Sequence, residues 1–463
     1  MNDEPPIQKV DMLARIDPND VHFKIVRLPS PPNFVQDDVQ IAYEVGEHRE
    51  TGPGEVRADL SEVSAAMAAD SLQSIDTLNQ GAAGKLIEDE RFGALSGTSD
   101  EGDWRASGAY ITNTSLGWPL SHVTFALDSV SVRGPGRGEV AFTRQVFFGS
   151  RLEFLIGCLV TPLDSYAAQR GRIQEKAFGR RISVRDLREN NEKVCATAVV
   201  YDGAPLDDTE SQALWLVLSL LAGSRLQTSV TETYDDKGQL IERVYRPGVA
   251  NGAFGAAPFH VHHASYEPGV FAILCDRVAG LLHADFPVDV LVAHLQDANE
   301  GSMERRMQSC LLGIHAASEA WNRVHGTTTI MPKDAWDKIK NQVAEVATTV
   351  AAAISPAIGT AVSNAIMGAN NVGTNARLRA CLKALSLAPA GPMKKAIDLR
   401  NPLFHDGFLQ RRFSSLSRQQ QQERYDQVQL LNEFLMRMIF AICDMNFPIH
   451  SISSPYHAIN VKD

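Results

Sequence analysis

The chain has 463 residues, more than one compact core usually holds, so its length predicts two or three domains. Apolar residues make up 44% and charged residues 21% of the sequence. These proportions are typical of a globular protein and exclude wholesale disorder. The formal net charge of −11 argues against a protein that coats nucleic acid without selectivity.

The cysteines and the first residues indicate the compartment. The 6 cysteines lie far apart and form no Cys-x-x-Cys pair, a spacing that predicts reduced core thiols and not a disulfide framework or a zinc ribbon. Residues 1–6 show neither the basic nor the apolar region of a secretory signal, so we expect a cytoplasmic protein. His260 and His262 share one face of a predicted strand, but no further ligand follows nearby, so we expect no metal and no cofactor.

The first half of the chain is rich in predicted strands. Residues 1–20 resemble a flexible arm, and residues 21–266 form one α+β region that is mostly antiparallel. Alternation of apolar and polar side chains predicts three half-buried strands, at residues 21–26, 39–44 and 122–127.

A helix and a hairpin are predicted at the end of this region. Residues 209–222 form a buried helix for which Gly223 is a plausible C-cap. Residues 226–245 then predict a β-hairpin whose turn is Asp235-Asp236-Lys237-Gly238.

Beyond residue 267 the apolar period changes to that of helices. Steps of three and four residues predict amphipathic helices at about 301–324 and 416–445. Residues 267–463 are therefore predicted to form an all-α helical bundle.

An Ala-rich segment, about 346–373, lies within the bundle as an insertion. No charged residue occurs between Glu345 and Arg377, which raises the question of a membrane span. Alanine contributes little to insertion, and Pro356, Gly359 and several polar residues weigh against a lipid-facing helix. We expect two packed helices of small residues at an oligomer interface, and no membrane.

Charge is distributed unevenly. Nineteen basic and 17 acidic residues lie from residue 270 onward, against 25 and 38 before it. Residues 377–424 alone hold ten basic and three acidic groups. Such a stretch in an acidic protein predicts a local site for a polyanion, and a solvated helix face is the alternative.

The basic stretch contains the segment Leu399-Arg400-Asn401-Pro402-Leu403-Phe404-His405-Asp406-Gly407. An imidazole can take a proton from a ribose hydroxyl or give one to a leaving oxygen. A guanidinium can hold the phosphate and stabilise its developing charge. Residues five apart diverge on an unbroken helix, but Pro402 interrupts the helix and allows Arg400 and His405 to share a pocket.

The spacing alone is not specific. An Arg separated from a His by four to six residues also occurs at Arg15…His22, in the predicted arm, and at Arg277…His283, in an apolar helix. Only Arg400…His405 combines a basic stretch, a helix break and a long amphipathic helix that follows. This context selects the third pair.

The Arg-Asn-x-x-x-His segment, the Asp-Gly after it and the helix that contains Leu430–Met438 resemble the end of a HEPN domain of the ApeA-like group. The helix Leu311–Trp321 resembles that family's earlier core helix with its acidic residue. The resemblance covers about residues 270–450. It implies an all-α homodimer, or a higher oligomer, that joins Arg and His from both chains in a metal-independent endoribonuclease site. It also implies a toxin of anti-phage abortive infection that cuts tRNA or mRNA.

Carried over by position, Arg400 and His405 are the catalytic pair and Asn401 is the polar neighbour that orients them. Glu319 is a candidate to hold Arg400 in place. We expect Lys394, Lys395, Arg411 and Arg412 to bind RNA, preferably in single-stranded loops. The resemblance assigns to the N-terminal region a regulatory role that senses an unidentified phage-derived or cellular trigger.

The alternative to an enzyme is a non-catalytic HEPN-like module. In that case the helical domain dimerises and binds RNA or a nucleotide through the basic stretch, or it acts as an adaptor. A change at His405 distinguishes the hypotheses, because only the enzyme requires its imidazole.

Overall fold

The computed structural model describes most of the chain, and the description below concerns those residues alone. The described residues are 20–29, 33–45, 48–60, 62–69, 92–100, 102–115, 121–148, 160–163, 167–170, 172–189, 193–223, 225–247, 269–326, 329, 331–367, 372–389, 391–399, 415–451 and 458–462. The chain divides into two compact units, Met1–Asp276 and Arg277–Asp463. The predicted domain boundary at residues 266–267 lies outside the described residues.

The N-terminal unit is built on antiparallel strands. Its strands are β1 Phe34–Val45, β2 His48–Ala58, β3 Val63–Ala69, β4 Gly93–Ser99, β5 Gly102–Ser115, β6 Ser121–Ala126, β7 Ser129–Arg133, β8 Phe142–Phe148, β9 Val160–Leu163, β10 Ala167–Arg170, β11 Arg172–Ala177, β12 Arg180–Glu189, β13 Lys193–Asp202, β14 Gln227–Tyr234 and β15 Leu240–Tyr245. All but β9 and β10 belong to one sheet of 13 strands with the order β11-β12-β13-β8-β14-β15-β7-β5-β4-β1-β2-β3-β6.

One part of this sheet closes on itself. Strand β6, at the edge of the order, also pairs with β5, so that β5, β4, β1, β2, β3 and β6 form a closed ring. Large apolar side chains fill the core of this region, and they include Tyr43, Trp104 and Phe125. Since alternate residues of a strand point to opposite faces, the alternating pattern provides this core with one side chain in two.

The segment 21–26 is the helix α1 (Val21–Val26) and not the predicted strand. Its side chains fit both patterns, because the buried residues His22, Phe23, Ile25 and Val26 also recur at helical spacing. The side chain of Asp20 accepts a hydrogen bond from the backbone N–H of His22 and so caps the helix.

A buried ionic cluster fixes the end of this segment. The guanidinium of Arg144 donates to Glu232 at 2.8 Å and to the carbonyl oxygens of Leu28 and Pro29. Arg243 and the hydroxyl of Tyr234 also donate to Glu232, at 2.7 and 2.9 Å. Arg144 and Glu232 are each only 1% exposed, so each charge is stable only in the presence of the other.

The predicted hairpin and the helix before it are confirmed. Strands β14 and β15 pair antiparallel, with Val230 opposite Tyr245. Helix α2 (Asp208–Ala222) begins with a capping box formed by Asp207 and Glu210, and it ends at Gly223, whose φ of 64° lies in the left-handed region.

The C-terminal unit is helical. The helices from residue 270 onward are α3 Val270–His283, α4 Val288–Asp297, α5 Met303–Val324, α6 Lys333–Ala352, α7 Pro356–Met367, α8 Thr374–Ala384, α9 Gly391–Asp398 and α10 Arg418–Ile442. Two short strands follow, β16 Pro448–His450 and β17 Ala458–Asn460, and they pair antiparallel. The predicted class, a mostly antiparallel α+β region followed by a helical region, is confirmed, but the strands β16 and β17 show that the C-terminal unit is not all-α as predicted.

Helix α5 is central to this unit, since it packs against α4, α8 and α10. Its buried side chains recur at the predicted steps, and they include Met307, Cys310 and Ile314. Helix α10 contributes Val428, Leu431, Phe434, Leu435 and Met438, all fully buried. The predicted helices at 301–324 and 416–445 correspond to α5 and α10.

The Ala-rich segment lies in a hairpin of two packed helices, α6 and α7. Helix α6 begins at Lys333, earlier than the predicted start of the insertion at 346. No single described helix is long and apolar enough to cross a membrane, although α3 and α4 pass that test as a pair bent by 116°.

Four cysteine side chains are described, and all four are free and buried: Cys275, Cys310, Cys381 and Cys443. Burial raises the pKa of Cys310, Cys381 and Cys443 to about 12. These thiols are therefore protonated and unreactive near neutrality, as the predicted core role requires.

Candidate functional site

The predicted catalytic segment falls in a part of the chain that the structure does not describe. Arg400, Asn401, His405, Arg411 and Arg412 all lie outside the described residues. The structure does place Lys394, Lys395 and Glu319, together with the helices α9 and α10 on either side of the segment.

Helix α9 presents two ammonium groups to solvent just before Arg400. Its buried side is formed by Met393, Ala396 and Ile397, and this helix packs against α10. Lys394 and Lys395 are exposed, and neither forms an ion pair with a described residue. Two adjacent cations that no described carboxylate neutralises can contact phosphates.

Glu319 lies on α5 and is bound by Arg377, the fourth residue of α8. Nη1 of Arg377 donates a hydrogen bond to Oε2 of Glu319. The two side chains are 22% and 29% exposed, so solvent reaches the pair. The predicted contact of Glu319 with Arg400 stays a prediction, since Arg400 lies outside the described residues.

A second contact fixes α8 on α5 at the same place. The fully buried Asn322 donates to the carbonyl oxygen of Arg377 at 2.9 Å and to that of Ser318 at 2.7 Å. The backbone and the side chain of Arg377 are therefore both held by α5, which gives its guanidinium a defined position.

An imidazole completes this cluster. His315 precedes Glu319 by one helical turn, and its Nδ1 lies 4.0 Å from Oε1 of Glu319. The imidazole is 35% exposed. We call His315, Glu319 and Arg377 the α5–α8 cluster, and it combines a proton-transfer group, a carboxylate and a cation within reach of solvent.

An aromatic pair lies at the end of the same helix. The rings of Trp321 and His325 stack with centroids 3.9 Å apart and an angle of 14°. His325 is exposed, and its Nδ1 is 2.8 Å from the carbonyl oxygen of Trp321, one turn back. A flat aromatic surface of this kind, next to the exposed Arg323, can stack on an unpaired base.

The N-terminal unit contains a Ser, His and Asp in a row. Nε2 of His22 is 3.0 Å from Oγ of Ser183, and its Nδ1 is 2.8 Å from Asp202. Ser183 is fully buried, whereas Asp202 is 40% exposed. A nucleophile must meet its substrate, so this order of exposure identifies a contact that holds α1 on the sheet and not a hydrolytic site.

Burial lowers the pKa of His22, and the charge of Arg181 lowers it further, while the hydrogen bond with Asp202 opposes both effects. His22 is therefore neutral at pH 7. Arg181 in turn binds Asp202 and Asp20, which links the helix cap to the strands β12 and β13.

Among the described residues, no group of three or more His, Cys, Asp or Glu side chains could hold a metal ion. His260 and His262 lie outside the described residues. No model of a known protein family matches the chain, and no curated protein or solved structure is significantly similar to it.

Of the α5–α8 cluster, only Glu319 is a site residue predicted from the sequence, whereas His315, Arg377 and the Trp321–His325 pair are not. Glu319 and Arg377 lie 58 positions apart, so no local spacing links them. The spacing of His315 and Glu319 at i and i+4 was visible, and so was that of Trp321 and His325. The His315–Glu319 pair gains its cation only where α8 packs on α5.

Proposed function

We propose that the protein is a metal-independent endoribonuclease in which Arg400 and His405 act on RNA in a dimeric, HEPN-like site. The observation that carries this proposal is the exposed pair Lys394 and Lys395 on α9. These two cations lie five and six positions before Arg400, in a helical unit and just ahead of the Arg-Asn-x-x-x-His motif.

The proposed chemistry uses only groups of this chain. His405 takes the proton of a ribose 2′-hydroxyl as its oxygen attacks the adjacent phosphorus. Arg400 stabilises the negative charge that develops on the phosphate, and Asn401 orients the pair. The 5′-oxygen leaves with a proton, and the products are a 2′,3′-cyclic phosphate and a 5′-hydroxyl end. In a dimeric site a second histidine, from the partner chain, donates that proton.

The substrate proposed here is single-stranded RNA, for instance a tRNA loop, since unpaired nucleotides can be splayed into a pocket. On this account Arg377 and the two lysines of α9 have different roles. Arg377 is already bound to a carboxylate, whereas Lys394 and Lys395 are available for phosphates. The cellular role that goes with this activity is a toxin of anti-phage defence whose N-terminal unit restrains or triggers the nuclease.

A non-catalytic RNA- or nucleotide-binding module is the second candidate. The stack of the half-buried Trp321 on the exposed His325 favours it, because base stacking on aromatic rings gives affinity without chemistry. Under this proposal His405→Ala leaves RNA binding unchanged, and Trp321→Ala weakens it.

The test uses the purified full chain with labelled tRNA and an RNA hairpin. His405→Ala is expected to lower the cleavage rate by roughly 10²–10⁴-fold, the usual contribution of acid–base catalysis. Arg400→Ala is expected to lower it as well. His283→Ala and Arg305→Ala, at exposed positions elsewhere in the helical unit, are the matched controls and should cleave like the wild type. Equal rates for His405→Ala and the wild type would contradict the assignment.

A further inference from the structure

Helix α6 has two apolar faces, and among the residues that the structure describes only one of these faces is covered. Ala344 and Ala351 are buried on the side that packs against α7. A second row, Ile339, Val343, Val346 and Val350, is exposed by 39%, 46%, 68% and 67%. At 100° per residue, the mean direction of this row lies about 120° around the helix axis from that of Ala344 and Ala351. Ile354, 76% exposed, continues the row beyond the helix end.

The spacing of the exposed row is specific. Its steps are four, three and four residues, the spacing of the a and d positions that form the seam between two coiled helices. We call the side chains of Ile339, Val343, Val346, Val350 and Ile354 the α6 seam. A seam of this kind is narrow and fits one further helix, whereas a helix that lies on a lipid surface exposes a broader apolar face.

The charges beside the seam would not repel a second copy of the same helix packed against it. The rows that flank it are uncharged at Gln342, Ala347 and Thr349, and the ammonium of Lys340 is bonded to Asp337 of its own helix. In an antiparallel pair Val343 meets Val346 of the other chain, and Ile339 meets Val350. Lys340 then lies opposite Ala347, so no like charges meet.

The apolar area of the α6 seam is also large enough to form the core of a stable contact between two chains. The α6 seam exposes on the order of 400 Å² of apolar surface, close to the largest patch that monomers leave exposed. A standard interface covers about 800 Å² on each partner, of which roughly 55–65% is apolar. The seam and the small residues beside it therefore provide nearly the apolar core that such an interface contains.

We propose that the α6 seam is a homodimer interface, in which the α6–α7 hairpins of two chains pack through α6 as an antiparallel four-helix arrangement. This inference does not rest on the proposed nuclease chemistry, although that proposal also requires a dimer. It assigns a role to the Ala-rich segment, whose small side chains allow α6 and α7 to pack closely while α6 meets the second chain.

The test is sedimentation velocity of the full chain over a range of micromolar concentrations. We expect a wild-type dimer whose dissociation constant rises at least ~100-fold in Val346→Glu/Val350→Glu, because two carboxylates enter an apolar seam in each chain. Lys338→Gln/Asn341→Glu makes the same charge change at exposed positions on the side of the helix away from the seam and should leave the dimer intact. Both variants change exposed side chains, and unchanged circular dichroism confirms that they fold.

Several outcomes overturn the proposal. A monomeric wild type would do so, and so would a dimer that persists unchanged in Val346→Glu/Val350→Glu. Flotation with phosphatidylcholine–phosphatidylglycerol vesicles is run in parallel. A wild type that is monomeric and floats with the vesicles, while Val346→Glu/Val350→Glu does not, would assign the seam to a membrane instead.

Discussion

The two units each contain a cluster of histidine, carboxylate and arginine, and the clusters differ in exposure. In the N-terminal unit His22 and Ser183 are sealed from solvent, and the pair Arg144–Glu232 is buried. In the helical unit the side chains of the α5–α8 cluster are between 22% and 35% exposed. The same functional groups therefore stabilise a fold in one place and are available to a ligand in the other.

The physical reason lies in desolvation. A buried charge is tolerated only when its partners replace the lost water. Removal of one partner therefore leaves an unpaired buried charge and strongly lowers the free energy of unfolding. A partly exposed pair keeps its water and contributes little to stability. Four predictions test this comparison, in order of expected effect.

The largest effect is expected in the buried ionic cluster. Glu232→Ala leaves the charges of Arg144 and Arg243 without their common partner, and it should lower the free energy of unfolding by about 3–5 kcal/mol. Urea denaturation measures the change. Glu242→Ala removes an exposed carboxylate from the same hairpin and should cost under about 1 kcal/mol. Equal losses for the two variants would contradict the role of the buried cluster.

The second prediction concerns pH. His22 has a lowered pKa in the folded chain, so the unfolded chain binds the proton more readily. Stability is therefore complete above the ordinary value of 6.5 and declines as pH falls below it, by at most about 1.4 kcal/mol per pH unit. Urea denaturation at several pH values compares the wild type with His22→Gln, which keeps polar groups but does not titrate. An identical decline in His22→Gln would exclude His22 as the source.

The third effect is smaller and lies in the α5–α8 cluster. Arg377→Ala removes a partly exposed ion pair but retains the bond from Asn322 to the backbone, so it should cost about 1 kcal/mol. Arg379→Ala, an exposed arginine of the same helix, is the control in the same denaturation experiment and should cost less. A loss above about 3 kcal/mol for Arg377→Ala would show that the α5–α8 cluster stabilises the fold as strongly as the buried cluster, and would contradict the comparison.

The smallest effect is expected in RNA binding. Lys394→Ala/Lys395→Ala should weaken binding by roughly 3–10-fold at low salt and reduce its dependence on salt, since two phosphate contacts are lost. Fluorescence anisotropy with single-stranded RNA measures both quantities. The control Arg305→Ala/Lys338→Ala removes two exposed cations elsewhere in the helical unit. If it weakens binding equally, the proposed RNA surface on α9 is wrong.

The elements that local signals define could be predicted. The hairpin β14–β15 has a strong turn sequence, and α2 is bounded by a capping box and by Gly223. α1 could not be assigned, because its apolar residues fit either period and the cap at Asp20 is formed only in the helix. The closure of the ring by β5 and β6 depends on long-range pairing that no local pattern encodes.

The chemical groups of the candidate site could be predicted from the sequence, but the contacts between them could not. The exposure of Lys394 and Lys395 could be predicted, because they lie on the side of α9 opposite its apolar residues. The bond between Glu319 and Arg377 follows from the packing of α8 on α5, which spacing does not reveal. The α6 seam was present as a periodic pattern, but a period alone does not say which face of a helix is covered.

The most direct test of the proposed activity is the chemistry of the RNA ends made in the presence of EDTA. The proposal predicts that the wild type cleaves RNA without a divalent cation and leaves 2′,3′-cyclic phosphate and 5′-hydroxyl ends, and that His405→Ala does not. Cleavage that stops in EDTA, or that leaves 3′-hydroxyl ends, would contradict an attack by the ribose hydroxyl assisted by His405.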